Sequence, residues 1–160
     1  MAKRIDLFDS TYGNFTARVL DEIRRESYGE DIGQNSWTTA DEYDRFIPWL
    51  NLGPTQHALE IASGSGGPAR YLARKTGCRV TGIDSNESGV ATATQLARDA
   101  GADGTVEFRR ADATAPLPFE SNHFDALLCI DSMNHFPDRL AVFREWQRVL
   151  RPGARALFTD

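Results

Sequence analysis

Cysteine is scarce. Cys78 and Cys129 are the only two in 160 residues, too few for a disulfide framework or a zinc cluster. No metal is therefore expected, and a reducing, cytoplasmic setting is. Long apolar runs are missing too. None approaches the roughly 18 residues of a membrane span, and Met1-Ala2-Lys3-Arg4-Ile5-Asp6 lacks the apolar stretch of a signal peptide. Nor is there a basic excess. Lys and Arg number 18 against 23 Asp and Glu, a net charge of −5, which makes the chain a poor partner for duplex nucleic acid. What is present is 41% hydrophobic residues, in a length that suits one domain with a real core.

The composition changes near Gly53-Pro54. Before it the pattern is helical and aromatic. Phe15, Val19, Leu20 and Ile23 recur at helical spacing, with Asn14 as a possible cap and Gly29 as a stop. Thr39-Ala40-Asp41-Glu42 reads as a capping box, followed by Tyr43, Phe46, Ile47 and Leu50 on one helical face until Pro48 kinks or ends it. The stretch between, Tyr28 to Trp37, reads as a loop. After the change, strands are predicted over His57–Ala62, Arg79–Asp84, Val106–Arg110, Phe124–Ile130 and Ala154–Thr159, and helices over Pro68–Lys75, Glu87–Ala100 and Pro137–Leu150. Arg151-Pro152-Gly153 reads as the turn into the last strand. This alternation predicts a doubly wound, mostly parallel α/β sheet with helices on both faces. The link Ala111–His123, with Pro116 and Pro118, is long enough for a crossover but poorly suited to a long helix. The domain reading is a helical lid over 1–52 and an α/β unit over 53–160.

The densest chemical signal is Ala58-Leu59-Glu60-Ile61-Ala62-Ser63-Gly64-Ser65-Gly66-Gly67-Pro68. An apolar strand runs into a turn of small residues and then a helix, whose free N–H groups suit an anion. Gly64-x-Gly66-x-x-Ala69 matches a dinucleotide fingerprint, although a tight turn without a ligand would look similar. Asp84, with Ser85 behind it, ends the second strand at about the distance expected of a residue that holds ribose hydroxyls. The alternative for Asp84 is an acid placed at a helix N-terminus. Asp112, just past the third strand, is either an acceptor for an adenine amino group or a turn residue. The polar cluster Ile130-Asp131-Ser132-Met133-Asn134-His135 follows the fourth strand, where open α/β sheets bind ligands.

Together these residues resemble the class I, S-adenosylmethionine-dependent methyltransferases, in their small-molecule branch. Glu60-x-Ala62-x-Gly64-x-Gly66 resembles the family's acidic-x-Gly-x-Gly-x-Gly motif, with Ala62 in place of the first glycine. The resemblance implies a Rossmann-like methyltransferase fold with S-adenosylmethionine as cofactor. It implies that Glu60 helps hold the methionine amino group, that Ala62, Ser63, Gly64 and Gly66 pass beside the cofactor, and that Asp84 binds both ribose hydroxyls. By the same likeness Asp112-Ala113 contact adenine, and the segment from Ile130 to His135 lines the methyl-transfer site. It also implies that Tyr12, Tyr28 and Trp37 fold over the cofactor as part of a lid and that Gln34, Asn35 and Ser36 meet its methionine end, whereas Phe15 reads as core. Val149-Leu150-Arg151-Pro152-Gly153 resembles the turn before the family's fifth strand, and the family fold continues beyond that strand. The chain is thus expected to end after its fifth strand, leaving an edge for a homo-oligomer or a swapped dimer to cover.

Methyl transfer is an in-line displacement in which alignment and desolvation do most of the work. If the acceptor must lose a proton, His135 is the first candidate base and Asp131 the second, although a structural histidine is an equal reading of His135. His57 and His123 read as structural or exposed, and Cys129 as a core thiol. The implied partner is a small-molecule methyl acceptor, an N, O or C nucleophile with amines slightly favoured. Two other readings stay open. One is an NAD(P)-dependent oxidoreductase, using the same Gly64-x-Gly66 turn and Asp84. The other is a non-catalytic cofactor-binding fragment.

Overall fold

The computed structural model describes residues 8–160. The signal-peptide reading of residues 1–6 and the start of the lid predicted over 1–52 lie outside the described residues. Helices α1 (Asp9–Gly13), α2 (Arg18–Tyr28) and α3 (Ala40–Phe46) come first, and a 3₁₀ turn over Ile47–Leu50 follows. Then come β1 (His57–Ile61), α4 (Gly67–Thr76), β2 (Arg79–Asp84), α5 (Glu87–Asp99), β3 (Val106–Arg110) and β4 (Phe124–Cys129). A short 3₁₀ turn over Met133–His135, α6 (Arg139–Val149) and β5 (Leu150–Phe158) complete the order.

The five strands form one parallel sheet in the order β3-β2-β1-β4-β5. Because strand side chains alternate in direction, each central strand feeds two cores. Ala58, Val80, Ala126 and Leu128 face a layer holding Leu72 of α4 with Tyr43, Ile47 and Leu50 of the helical start. Leu59, Ile61, Ile83, Leu127 and Cys129 face Val142, Trp146 and Val149 on and beside α6. The link between β3 and β4 forms no helix. It covers the second face with Leu117 and Phe119. Its backbone is held from α6: Leu117 N–H donates to Glu145 at 2.8 Å, while Arg148 donates to the carbonyls of Phe119 at 2.7 Å and Leu117 at 2.9 Å.

Several local expectations need correction. The helix predicted from Asn14 onward starts only at Arg18, and a short helix, α1, precedes it across a break. Asn14 does not cap α2; its side chain donates to the Ser10 carbonyl. Phe15 sits in the break and is buried, whereas Val19 and Ile23 of α2 face outward. The capping box at Thr39 and Glu42 is present. Pro48 falls inside the 3₁₀ turn that ends α3, as a residue without an N–H should. Arg151-Pro152-Gly153 is not a turn. β5 begins at Leu150 and runs through it, with a register irregularity against Phe124–Ala126. At the amino end of the sheet, His57 meets Thr81 at 2.8 Å and the His123 ring at 5.4 Å. Burial, helped by Arg79 and His123, pushes His57 down to about 4, so it stays neutral and structural. Among the described residues no helix is long and apolar enough to cross a membrane.

The chain winds outward from β1 through α4 and α5, then returns to the other side at β4. Such a reversal opens a crevice at the carboxyl ends of β1 and β4. Gly66 sits beside it at φ 73°, and a Cβ there would run into the Phe108 ring and approach Ala93 Cβ at 2.9 Å. Gly66→Ala is expected to cost about 2–4 kcal/mol in a denaturant melt, through left-handed strain plus overpacking. Gly104→Ala, facing open space, should stay within about 0.5 kcal/mol.

Candidate functional site

The crevice holds a cavity of about 200 Å³. Ala62, Ser63 and Gly64 enter it from the end of β1, Asp84 and Ser85 from the end of β2, and Ile130 and Asp131 from the end of β4. Asn35, Ser36 and Tyr43 line it from the helical start, with Phe8 and Tyr12 at one side and His135 at the mouth.

The turn after β1 is shaped by its neighbours. Ser63 N–H donates to the Ile83 carbonyl at 2.9 Å, and Gly64 N–H donates to Asp84 Oδ2 at 2.8 Å. Asp84 Oδ1 accepts from Asn86 N–H at 2.8 Å. Asn86, not Asp84, supplies the side-chain cap of α5, accepting from Gly89 N–H at 2.8 Å. Asp84 is thus buried at the cavity wall, its carboxylate oriented by two backbone amides. Ala62 takes φ 56°. It lies in the left-handed region and not in an extended conformation, so this alanine holds a shape that glycine adopts at less cost.

Glu60 is 3% exposed within the central strand. The Ala69 N–H of α4 donates to its carboxyl, while Oε2 has no partner. Burial is the main force on it and the neighbouring Asp84 adds to it; the Ala69 amide and Arg70 work against them, and the net effect pushes the acid up to about 8. Among the described residues, the hydroxyl of Tyr43, fully buried, has only Ser36 beside it, at a geometry too poor to satisfy either group. Burial first, and Glu60 second, push it well above its ordinary range. Ser63 Oγ is also buried, with no partner among the described residues. Buried polar atoms are nearly always satisfied, so four poorly satisfied groups on one cavity wall describe a place built for a polar ligand. The donor and acceptor set, two carboxyls and three hydroxyls, fits an ammonium and a polyhydroxylated group.

Asp131 lies just beyond β4, at φ 49°. Its Oδ2 accepts from Trp37 N–H at 2.9 Å and Thr38 Oγ1 at 3.4 Å, and its Oδ1 from Thr159 Oγ1 at 2.6 Å. The carboxylate therefore ties the 35–38 loop to the ends of β4 and β5. His135 is exposed, with its ring edge-on to Phe8 at 5.9 Å.

Other expected site residues fall elsewhere. Gln34 is buried, but its Oε1 turns back to accept from Ile32 N–H at 3.1 Å. The Trp37 ring is 86% exposed, and only its backbone meets the site. Tyr28 is half-buried at the end of α2 and does not line the cavity. Asp112 accepts from the N–H and hydroxyl of Thr114 at 2.8 and 2.7 Å, the turn alternative, and Ala113 packs against the second core. Tyr43 was legible only as a core position. The clue was a phenol where a phenylalanine would pack as well. A wider groove of about 740 Å³ beside α2 carries arginines, but its Arg24 and Arg25 are paired with Asp31 and Asp21.

Residues 59–158 match the family described as "Methyltransferase domain". The chain is 31% identical to methyltransferase GfsG of Streptomyces halstedii, over 97% of this chain and 59% of that protein. It is 39% identical to the sarcosine/dimethylglycine N-methyltransferase of Halorhodospira halochloris, over 68% of this chain and 39% of that protein. Among solved structures it resembles geranyl diphosphate methyltransferase in complex with SAM, with a TM-score of 0.69 and 25% identity over 74% of this chain and 47% of that one. The chain spans between about two fifths and three fifths of the length of these curated relatives.

Two measurements follow from the turn. Because the fold favours the neutral form of Glu60, the stability it confers is present below the ordinary glutamate range and lost as pH climbs toward about 8. The unfolding free energy should fall across that window by up to about 1.4 kcal/mol per pH unit, and Glu60→Gln should flatten the fall. A denaturation series from pH 5 to 9, run on both chains, checks this. Ala62→Gly should raise the unfolding free energy by about 0.5–1 kcal/mol by removing left-handed strain.

Proposed function

Because the chain belongs to the methyltransferase domain family, we propose that it binds S-adenosylmethionine across the carboxyl ends of β1 and β2 and serves methyl transfer to a small-molecule nucleophile, amines first. The observation that carries this reading is the set of buried, poorly satisfied Ser36, Tyr43, Glu60 and Ser63 groups that line one cavity together with Asp84. The cofactor supplies an activated methyl group on a sulfonium.

The chain's own residues have separable tasks. Asp84, already aligned by the Gly64 and Asn86 amides, accepts from the ribose hydroxyls in charge-assisted bonds. Glu60 and the hydroxyls around it receive the amino-acid end. Ile130, buried after β4, excludes water from the reacting centre. His135 is exposed at the mouth and takes a proton from an acceptor that must lose one. Asp131, with its oxygens engaged by three donors, positions the 35–38 loop and does not act as a base. Asp112 and Ala113 serve adenine only after the Thr114 turn opens. Residues 8–52 act as the cover. The cavity, at about 200 Å³, is smaller than the roughly 300 Å³ at which small-molecule pockets begin, so the rings of Phe8 and Tyr12 yield on entry. The relative named for sarcosine and dimethylglycine supports an amine acceptor.

Binding of S-adenosylhomocysteine, measured by calorimetry, tests the reading. Asp84→Asn should weaken it by roughly 30-fold or more, about 2 kcal/mol, with the circular dichroism spectrum retained. Equal affinity in the folded variant would sink the assignment, as would a chain that binds NADH and ignores the sulfur nucleoside.

A further inference from the structure

We propose that the amino-acid end of the nucleoside is taken up by exchange: its ammonium group enters beside Glu60 as a proton leaves that carboxyl for solvent. The inference rests on the cofactor reading above and concerns how that site is loaded.

The geometry sets up the exchange. Glu60 sits on the central strand, sealed from water, with one oxygen unpartnered and the residue on the cavity wall. A charged carboxylate in such a place needs a cation close by. The groups facing it from the surrounding elements offer little. Asp84 on β2 repels its charge; Tyr43 on α3 and Cys129 on β4 are acids pushed upward by burial, with Glu60 itself adding to both. Among the described residues, Arg70 on α4 is the one cation acting on it. That guanidinium spends a bond on the Gly66 carbonyl at 3.2 Å and feels Asp31 as well. Among the described residues, the Ala69 amide alone donates to the carboxyl. Without a ligand, the low-energy form is the neutral acid, in line with its shift to about 8.

An incoming ammonium changes the balance. It supplies the missing donor to Oε2 and a full opposite charge at short range, so the carboxylate becomes the favoured form. One O–H bond breaks at Glu60, its electron pair stays on the carboxylate, and the proton passes to buffer. The site then holds an ion pair in place of a neutral acid. Loading is therefore linked to pH: between pH 6 and 7.5, where the ligand's amine stays largely protonated, affinity rises with pH.

Calorimetry on the full 160-residue chain reads this directly. S-adenosylhomocysteine is titrated at pH 7 in two buffers of different ionisation enthalpy. About 0.8 proton should be released per ligand bound at pH 7: about 0.9 from a group titrating near 8, less about 0.1 taken up by ligand amine that arrives neutral. In parallel, 5′-methylthioadenosine, which keeps the nucleoside but lacks the amino-acid end, should bind with no proton release. Glu60→Gln should bind S-adenosylhomocysteine with release near zero. Binding of S-adenosylhomocysteine to the wild type without proton release overturns the exchange and leaves the cofactor reading intact. Release that persists in Glu60→Gln, or that accompanies 5′-methylthioadenosine, also overturns it. If neither nucleoside binds, the cofactor reading fails and the exchange with it. The wild-type comparison of the two ligands decides the matter even if the variant does not fold.

Discussion

One hydrogen bond holds the working end of this molecule together: the Gly64 amide on the Asp84 carboxylate, 2.8 Å long and buried. It joins the turn after β1 to the last residue of β2, so the two strand ends that line the cavity cannot drift independently. Charge-assisted bonds of this kind are among the stronger ones available to a protein. Around it, the Ser63 amide continues the strand pairing by one residue, and Asn86 starts α5 at once. The turn is thereby fixed before any ligand arrives. A site of this kind gains affinity by being formed in advance.

Much of the architecture was legible because parallel strands buried on both faces leave a plain trace. Arg79–Asp84, buried beyond its first residue, was predicted with the bounds observed; so was Val106–Arg110, a largely exposed edge strand, because Val106 and Phe108 alternate with charged residues there. The breaks at Phe15 and Leu150 were not legible. Phe15 has the spacing of a helical residue, but its burial is won in a loop, against Arg24 over its ring at 4.0 Å. The Pro152-Gly153 pair normally stops a strand. β5 lies at an edge of the sheet, where a proline costs little.

The site was legible where chemistry is local and not where it depends on long-range packing. Glu60, Asp84, Ser63 and Ile130 sit at strand ends, so topology alone puts them at the crevice. Tyr43 reaches the same cavity from α3, a juxtaposition that no local spacing reveals. Gln34 and Trp37 belong to a loop that meets the site through the Trp37 backbone amide, while neither side chain lines the cavity. Positive φ at Ala62 and Asp131 is likewise a tertiary result: neighbouring bonds impose it on residues that do not prefer it.

The link between β3 and β4 carries a consequence for how the molecule breathes. Its peptide groups at Leu117 and Phe119 are bonded to side chains of Glu145 and Arg148, not to a ladder of their own. Peeling α6 from the sheet would unlatch those groups in the same event. The segment and the helix therefore form one cooperative unit, and their amides should exchange with solvent together, at a free energy below that of the central strands.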